Sequence, residues 1–478
     1  MLDRAKSEAI DWIEKNRARL VEVSDAVWGF AELGFVEFKS SKLVADELEK
    51  HGFSVKRGVA SIPTAFVAEC GSGKPVIGIM GEYDALPGIS QKTVPYKEAL
   101  VPGAPGHGCG HNIHGVSGLG AALALKVTME KEGTRGTLKY FGCPAEEMLS
   151  GKVWMVRDGV FEGVDACLSH HPSGYNTAQV HSSNANVSVK FHFYGKTSHA
   201  AGSPEQGRSA LDGVELMNIG VNYLREHVIE KARIHYVIED GGGQPNVVPD
   251  YARVWYMIRA PERNQVDELY KRVLKIAEGA ALMTDTTHRV DFQKAASNKI
   301  PSKALSEIVV ANMKEIGAPV FTEEELAFAK RIGESIPRSE KMDGLAKSKM
   351  PNWERFADVD LVSEVLDPWA DEEVGAGSTD VSDVSWNTPT MEFGTAASVL
   401  GTPGHSWQNV ACSGMSIGHK SLIFASKVIA ASALDLFTKP ELLKEAKDEL
   451  EKRLHGIKYT SPVPPEAKPP LNQWTGSK

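Results

Sequence analysis

An α/β fold is predicted, in which a mainly parallel sheet covered by helices carries a smaller, inserted α+β satellite, and three observations predict it. Strand-like and helix-like segments alternate from Asp3 to about residue 185. Near Asn186 the apolar period changes to two. From there the order reads strand, helix, strand, strand, helix, strand. Alternation of the first kind indicates a parallel sheet with helical crossovers, and the second order is the ferredoxin-like arrangement. A chain of 478 residues is also too long for one ordinary core. The expected division is a larger domain built from residues 1–185 and 299–478, with the satellite formed by residues 186–298.

The elements follow in order. Residues 40–50 are helix-like, residues 75–80 form an apolar strand, and a glycine-rich loop over 103–114 leads into a helix-like stretch at 115–130. The apolar run 138–143 reads as a strand, 152–160 as a helix, and 165–169 as a short buried strand. In the satellite, Val187, Val189, Phe191 and Phe193 fall on one face of an alternating strand. A helix at 210–226, strands at 234–238 and 252–258, a helix at 265–282 and a strand at 289–293 complete it. A helix at 303–316 follows, and after Ser416 a long helical pattern runs to about Arg453. The proline-rich tail 459–478 is expected as an extended arm. Between these lies the charge-rich segment 321–375 with Trp353 and Trp369, open to reading as a lid, a dimer contact or a surface elaboration.

Composition narrows the function classes. A formal charge of −9 gives no basic surface for nucleic acid. The first twenty residues mix acids and bases in helical rhythm and lack the apolar core of a signal peptide, and no run approaches the length of a membrane span. Five cysteines, Cys70, Cys109, Cys143, Cys167 and Cys412, are scattered without a framework spacing, which favours reduced thiols and a cytoplasmic setting.

Two short stretches carry the chemistry. Cys109-Gly110-His111 places a thiol and an imidazole two residues apart, both able to bind a divalent metal. Glu146-Glu147 follow the strand-like run 138–143 and Pro144, where one carboxylate can ligate while its neighbour takes a proton from water. An isolated cysteine packs as a small hydrophobe. Here its loop, Gly106-His107-Gly108-Cys109-Gly110-His111-Asn112-Ile113-His114, permits tight turns and close approach to an ion. Further histidines stand at a strand end, His170-His171-Pro172, and in the turn-prone loop Gly401-Thr402-Pro403-Gly404-His405. Strand carboxyl ends in α/β sheets are where ligands sit.

Taken in order, these motifs together with Gly81-Glu82-Tyr83-Asp84-Ala85-Leu86-Pro87-Gly88, Gly195-Lys196-Thr197-Ser198-His199-Ala200 and Asn246-Val247-Val248-Pro249 resemble the M20 metallopeptidase and amidohydrolase family. The likeness is to its branch of aminoacylases, hippurate hydrolases and auxin-conjugate hydrolases, and its motifs are spread from about residue 80 to residue 407. It implies a zinc-peptidase-like larger domain and a satellite that serves dimerisation. It implies that Cys109, His111, Glu147, His171 and His405 hold two divalent ions, Mn2+ or Zn2+, with His171 preferred over His170 because it precedes Pro172. Glu146 would be the general base and Asp84 would orient a ligand. His199 would reach into the active site of the partner, while Asn246 and Arg259 would grip the substrate carboxylate and scissile carbonyl. Two departures stand out: Asn112 replaces the family's acid, and Gly377-Ser378-Thr379-Asp380 replaces its Gly-Ala-Glu-Asp pattern.

The resemblance implies a metal-dependent amidase of a small N-acyl amino acid. An aryl-amide of glutamate such as p-aminobenzoyl-glutamate is the leading substrate, with hippurate-like or indole-acetyl conjugates as the alternative. A non-catalytic, metal-containing regulatory protein is the reading from another class. A homodimer is expected, or a heteromer with a chain of related sequence.

Overall fold

The computed structural model describes residues 3–371 and 373–472. Strands β1 (Ser54–Arg57), β2 (Phe66–Ser72), β3 (Val76–Glu82), β4 (Gly136–Cys143) and β5 (Ala166–Ser173) precede the insertion. The insertion contributes β6 (Ala185–Tyr194), β7 (Arg233–Asp240), β8 (Tyr251–Ala260) and β9 (Thr287–Ala296), and the chain returns to the first sheet as β10 (Thr390–Ala396).

The larger sheet has the order β1-β2-β4-β3-β5-β10. Strands β4, β3, β5 and β10 run parallel, and β1 and β2 form an antiparallel edge. Side-chain parity shows why both faces are covered. On one face Ile77, Ile79, Leu138, Tyr140, Ala166 and Leu168 pack with the helices Arg17–Phe30, His111–Glu132 and Ser416–Thr438. On the other, Met80, Phe141, Cys143 and Cys167 meet Trp154, Phe161, Val381 and Val384. A sheet buried on both faces needs the near-continuous apolar strands found here. Against the expectation that no run approaches the length of a membrane span, the helix Ser416–Thr438 is long and apolar enough to cross one; it is largely buried in this core.

The satellite sheet has the order β7-β8-β6-β9, antiparallel throughout, with the helices Ala210–Leu224 and Arg263–Met283 completing the expected ferredoxin-like sequence of elements. Along β8 burial alternates strictly: Ala252, Val254, Tyr256, Ile258 and Ala260 are buried and join the core formed with these helices. Edge strand β7 is mostly exposed, showing Tyr236, Val237 and Ile238.

Two further expectations change, and a third gains detail. The helical pattern from 416 to 453 is two helices, Ser416–Thr438 and Pro440–Leu454, because a proline lacks the N–H a continuous helix needs. The strand expected over 165–169 extends to Ser173, so His170 and His171 lie within it and face opposite ways. The segment 321–375, open between a lid, a dimer contact and a surface elaboration, holds the helices Glu323–Gly333 and Arg338–Lys347 and the short turn Trp353–Phe356, and its apolar side chains cluster with Ala396, Val399 and Leu400. Bridges from Asn176 to Val365 and from Ser182 to Val374 stitch it to the chain between β5 and β6. The tail packs through Val463 and Ala467 beside the larger domain; beyond residue 472 the expectation of an extended arm lies outside the described residues.

The helix His111–Glu132 lies so close to β3 that a Cβ added at Gly115 would stand 2.4 Å from the backbone oxygen of Glu82. Gly115→Ala should therefore destabilise by about 1–3 kcal/mol, as overpacking against backbone does. Gly29, on the exposed side of Arg17–Phe30 with nothing within 4 Å of its virtual Cβ, should gain about 0.5–1 kcal/mol as alanine. Urea midpoints of the two variants moving in the same direction would contradict this.

Candidate metal centre

The parallel strands deliver their carboxyl ends to one edge of the sheet. Strand β3 ends at Glu82, two residues before Asp84, and β4 ends just before the turn that holds Glu146 and Glu147. His171 comes from β5. Facing them is the start of His111–Glu132, capped by Gly110 at φ 73°, a left-handed conformation that glycine adopts without steric cost. This junction sets Cys109 before the helix and His111 and His114 one turn apart on one side of it.

Among the described residues four groups of candidate donors result; Cys109 belongs to two of them, and Glu82, His111 and Glu146 make up a third. Ligand atoms of Cys109, His111 and His171 lie within 4.8 Å of one another, as do those of Cys109, Glu147 and His405. All five predicted ligands are thus brought together. His405 reaches Glu147 at 3.4 Å from a loop in which it holds a positive φ of 55°. Among these donors, the buried Nε2 of His111 and Oε1 of Glu147 have no hydrogen-bond partner in the described residues. A thiol, three imidazoles and a carboxylate around two adjoining points suit divalent ions.

Asp84 fixes this arrangement. Its Oδ1 lies 2.9 Å from Nδ1 of His111, and its Oδ2 accepts from the backbone N–H of Glu147 at 2.9 Å. A carboxylate behind a ligating imidazole sets the ring's tautomer and direction, leaving Nε2 for the ion. His170, by contrast, is fully buried between Ser117 and Thr395, 3.2 and 2.7 Å from their hydroxyls.

Negative charge is in excess here. Burial alone would keep the His111 imidazole neutral, yet Asp84, Glu82 and Glu147 outweigh it and draw its pKa well above the histidine range. Burial, followed by Glu147 and Glu146, pushes the Cys109 thiol upward, so it needs a nearby cation to become a thiolate. Burial, then Glu82, Asp380 and Glu147, likewise raises Glu146, whose Oε2 lies 3.8 Å from Nε2 of His111.

Five residues outside the predicted set complete the site. Lys152, fully buried, pairs with Glu82 at 2.6 Å and with Asp380 at 2.5 Å. Burial opposes its charge, but Asp380 and Glu82 outweigh that and keep it protonated. Asp380, from the departing 377–380 motif, is thereby a buried counter-ion, pushed up to about 6 by burial. His114 accepts from the backbone N–H of Glu82 through Nδ1 at 3.0 Å, so its proton sits on Nε2, near Glu82 and Ser169. That tautomer removes His114 from the ligand set, although it also groups with Glu82 and Glu392. Glu37 accepts from the N–H of Ala145 at 2.8 Å and from Thr64 at 2.9 Å, and burial with the nearby Asp84 pushes it up to about 8. Glu82 lies in the 81–88 motif and was visible there; Lys152 had no signal, since helix-borne charges normally face solvent, and Glu37, just before the helix Phe38–Lys50, reads as an ordinary acid at a helix start. Asn112 ties Ser24 to the backbone oxygen of Ser413 and is structural.

His199, Asn246 and Arg259 belong to the satellite and join none of these donor groups. His199 and Asn246 are exposed neighbours: His199 bridges to Val247, and Ala200 N–H donates to the Asn246 carbonyl at 3.0 Å. Nδ1 of His199 accepts from the N–H groups of Ala201 and Gly202 at 3.2 and 3.0 Å, so Nε2 carries the proton. The half-buried Arg259 guanidinium contacts the Met257 sulfur, and among the described residues no carboxylate pairs with it.

Comparison with known proteins agrees with this geometry. The model of peptidase family M20/M25/M40 matches residues 78–344. The chain is 43% identical over 468 residues to one of the component chains of p-aminobenzoyl-glutamate hydrolase from Escherichia coli, covering 96% of this chain and 97% of that one. It is 28% identical to the Xaa-Arg dipeptidase of Mus musculus, over 95% of this chain and 94% of the other. Among solved structures, a dinuclear metal binding peptidase of the M20 family from Bacillus subtilis superposes with a TM-score of 0.57 at 17% identity, covering 89% of this chain and 99% of that one. An aminobenzoyl-glutamate utilization protein from Klebsiella pneumoniae gives 0.56 at 18%, covering 86% and 97%. With its motifs in order and its sheet and insertion in place, the chain belongs to peptidase family M20/M25/M40 and is a hydrolase.

Proposed function

We propose that this chain is a dinuclear metal-dependent amidase of the cytoplasm that cleaves the amide bond of an N-acyl amino acid, with p-aminobenzoyl-glutamate as its substrate. The carrying observation is that two donor groups share Cys109, while Glu146, which groups with Glu82 and His111, belongs to neither of those two. The likeness to a component of p-aminobenzoyl-glutamate hydrolase supports the substrate. Cys109, His111, Glu147, His171 and His405 would hold two Mn2+ or Zn2+ ions. When bound, these ions would polarise the amide carbonyl and bring the pKa of a water toward ~7.

Within this frame the residues divide the work. Glu146 takes the proton of the attacking water and returns it to the amide nitrogen as the C–N bond breaks. Asp84 holds His111 and Glu147 in register. His199, with its proton on Nε2, donates to the developing oxyanion of the substrate bound by the partner, and Asn246 and Arg259 hold the carboxylate of the amino-acid half. A dimer through the satellite is supported by the exposed apolar edge strand β7 and by exposed Ile219 and Tyr223 on the helix Ala210–Leu224. A second component of the Escherichia coli p-aminobenzoyl-glutamate hydrolase is 28% identical over 324 residues, 57% of this chain and 73% of that one, and a related polypeptide of that kind is the alternative partner.

The experiment that tests the reading is hydrolysis of p-aminobenzoyl-glutamate by manganese- or zinc-loaded protein, beside hippurate and indole-acetyl-aspartate. Glu146→Gln should lose at least about a hundredfold in kcat while keeping its metal, since a general base contributes 10²–10⁴-fold; near-normal turnover would remove Glu146 from that role. Cys109→Ala and His405→Ala should lower metal content and activity together, measured by elemental analysis, and undiminished stoichiometry in both would show the ions lie elsewhere. Mixing His199→Ala protomers with Glu146→Gln protomers should restore up to about a quarter of wild-type activity, because a mixed dimer has one site with both residues intact. No recovery, with protomer exchange verified, would mean that His199 does not act in trans.

A further inference from the structure

A cavity of about 580 Å³ opens beside the metal centre, with His171 and Pro172 on its wall and also on the wall of the smaller cavity at Cys109 and His405. One side of it is the chain between β5 and β6. Ser173, Tyr175, Thr177, Gln179 and His181 line it at every second position, as one face of an extended segment does. The opposite side comes from the 321–375 segment, through residues 347–349 and 369–370. The cavity therefore exists only because that segment folds onto the larger domain.

Its unpaired polar groups share one character. Lys299 lines it half-buried, and among the described residues no carboxylate lies within ion-pair distance of its ammonium. Of the two carboxylates on the wall among the described residues, Glu373 is already paired with Lys349 at 2.7 Å, and Glu392 acts on Lys299 only from farther away. The Thr177 hydroxyl and the Gln179 amide nitrogen are buried there without a hydrogen-bond partner among the described residues. The Gln179 amide is oriented, because its oxygen already accepts from the backbone N–H of Trp369 at 3.1 Å, which leaves the NH2 as the free end. Trp369 is held in turn by its indole N–H on the Ser348 carbonyl at 2.8 Å, and it packs edge-on against Tyr175 with ring centres 5.4 Å apart. An ammonium, an amide NH2 and a hydroxyl beside a fixed aromatic wall are donors awaiting an acceptor, and a low-dielectric wall strengthens what they bind.

We propose that this cavity is an anion subsite that takes the side-chain carboxylate of the amino-acid half of the substrate, with Lys299, Gln179 and Thr177 as its donors and Tyr175 and Trp369 flanking its methylene groups. The inference rests on the amidase reading and extends it: the chain selects acidic amino acids, and it does so through the 321–375 segment. Lys299 is then a specificity-determining residue.

The test compares p-aminobenzoyl-glutamate with p-aminobenzoyl-glutamine, which keeps shape and loses the charge. Wild type should favour the glutamate compound in kcat/KM, and Lys299→Met should reduce that preference at least about tenfold through KM, since a charge-assisted hydrogen bond is lost. Lys299→Arg should restore part of it. Methionine replaces an unpaired, half-buried ammonium by an apolar group of similar length, so the variant should fold. Calorimetric titration of metal-free protein with p-aminobenzoyl-glutamate supplies a readout without turnover, and Lys299→Met should weaken that binding about tenfold as well. Equal losses for both amides, or unchanged affinity in the titration, would overturn the subsite. Binding that depends on Lys299 in a metal-loaded wild type that hydrolyses neither amide would uphold the subsite and overturn the amidase reading.

Discussion

Buried negative charge at the carboxyl edge of the parallel sheet is the constraint around which this molecule is arranged. Glu82, Asp84, Glu146 and Glu147 converge on His111 from the ends of two adjacent strands, and Asp380 and Glu37 stand behind them. Carboxylates without counter-charge are costly away from water. The buried cation Lys152 compensates Glu82 and Asp380. The remainder are left to whatever the thiol and imidazoles can bind, and so a demand of electrostatics becomes an affinity for divalent ions.

Backbone strain accompanies that charge. Ala145, immediately before the two glutamates, has φ 56°, Leu149 just after them has φ 51°, and His405 has φ 55°. Non-glycine residues in this region persist where surroundings hold them. For Ala145 the hold is its N–H on Glu37, and for Glu147 it is the N–H on Asp84. The turn after β4 is therefore gripped from two sides, which aims Glu146 and Glu147 at neighbouring points while keeping their roles distinct.

Much of this was legible in the sequence because periodicity and motif order report burial and proximity directly. The alternation in residues 187–193 identified β6, and the order of elements after it identified the satellite. Cys109, His111, Glu147 and His405, which the fold groups as candidate donors, stood out through glycine-rich loops and a strand end, where few purely structural roles compete. What stayed hidden depends on tertiary geometry. Lys152 reads as an ordinary helix lysine until Asp380, more than two hundred residues later, folds beneath it. Glu37 gains meaning only from the strained turn it braces. The choice between His170 and His171 needed the strand to run on to Ser173, since only then does parity send one ring inward and the other to the site. The 321–375 segment did carry a local sign of order, the Thr322 and Glu325 capping box, but its role as a cavity wall follows from where it docks.

The satellite departs from and returns to the larger domain through paired strands, with Asn186 of β6 opposite Ala296 of β9. A flexible loop spanning the same residues would cost the larger domain on the order of 4 kcal/mol in closure entropy. Because those two ends are held a single strand spacing apart, the intervening fold acts on the larger domain as a connector of a few residues. The parallel sheet can therefore gather β10 to β5 across the insertion almost as readily as if the satellite were absent, and an entire second domain is carried at the entropic cost of a short loop.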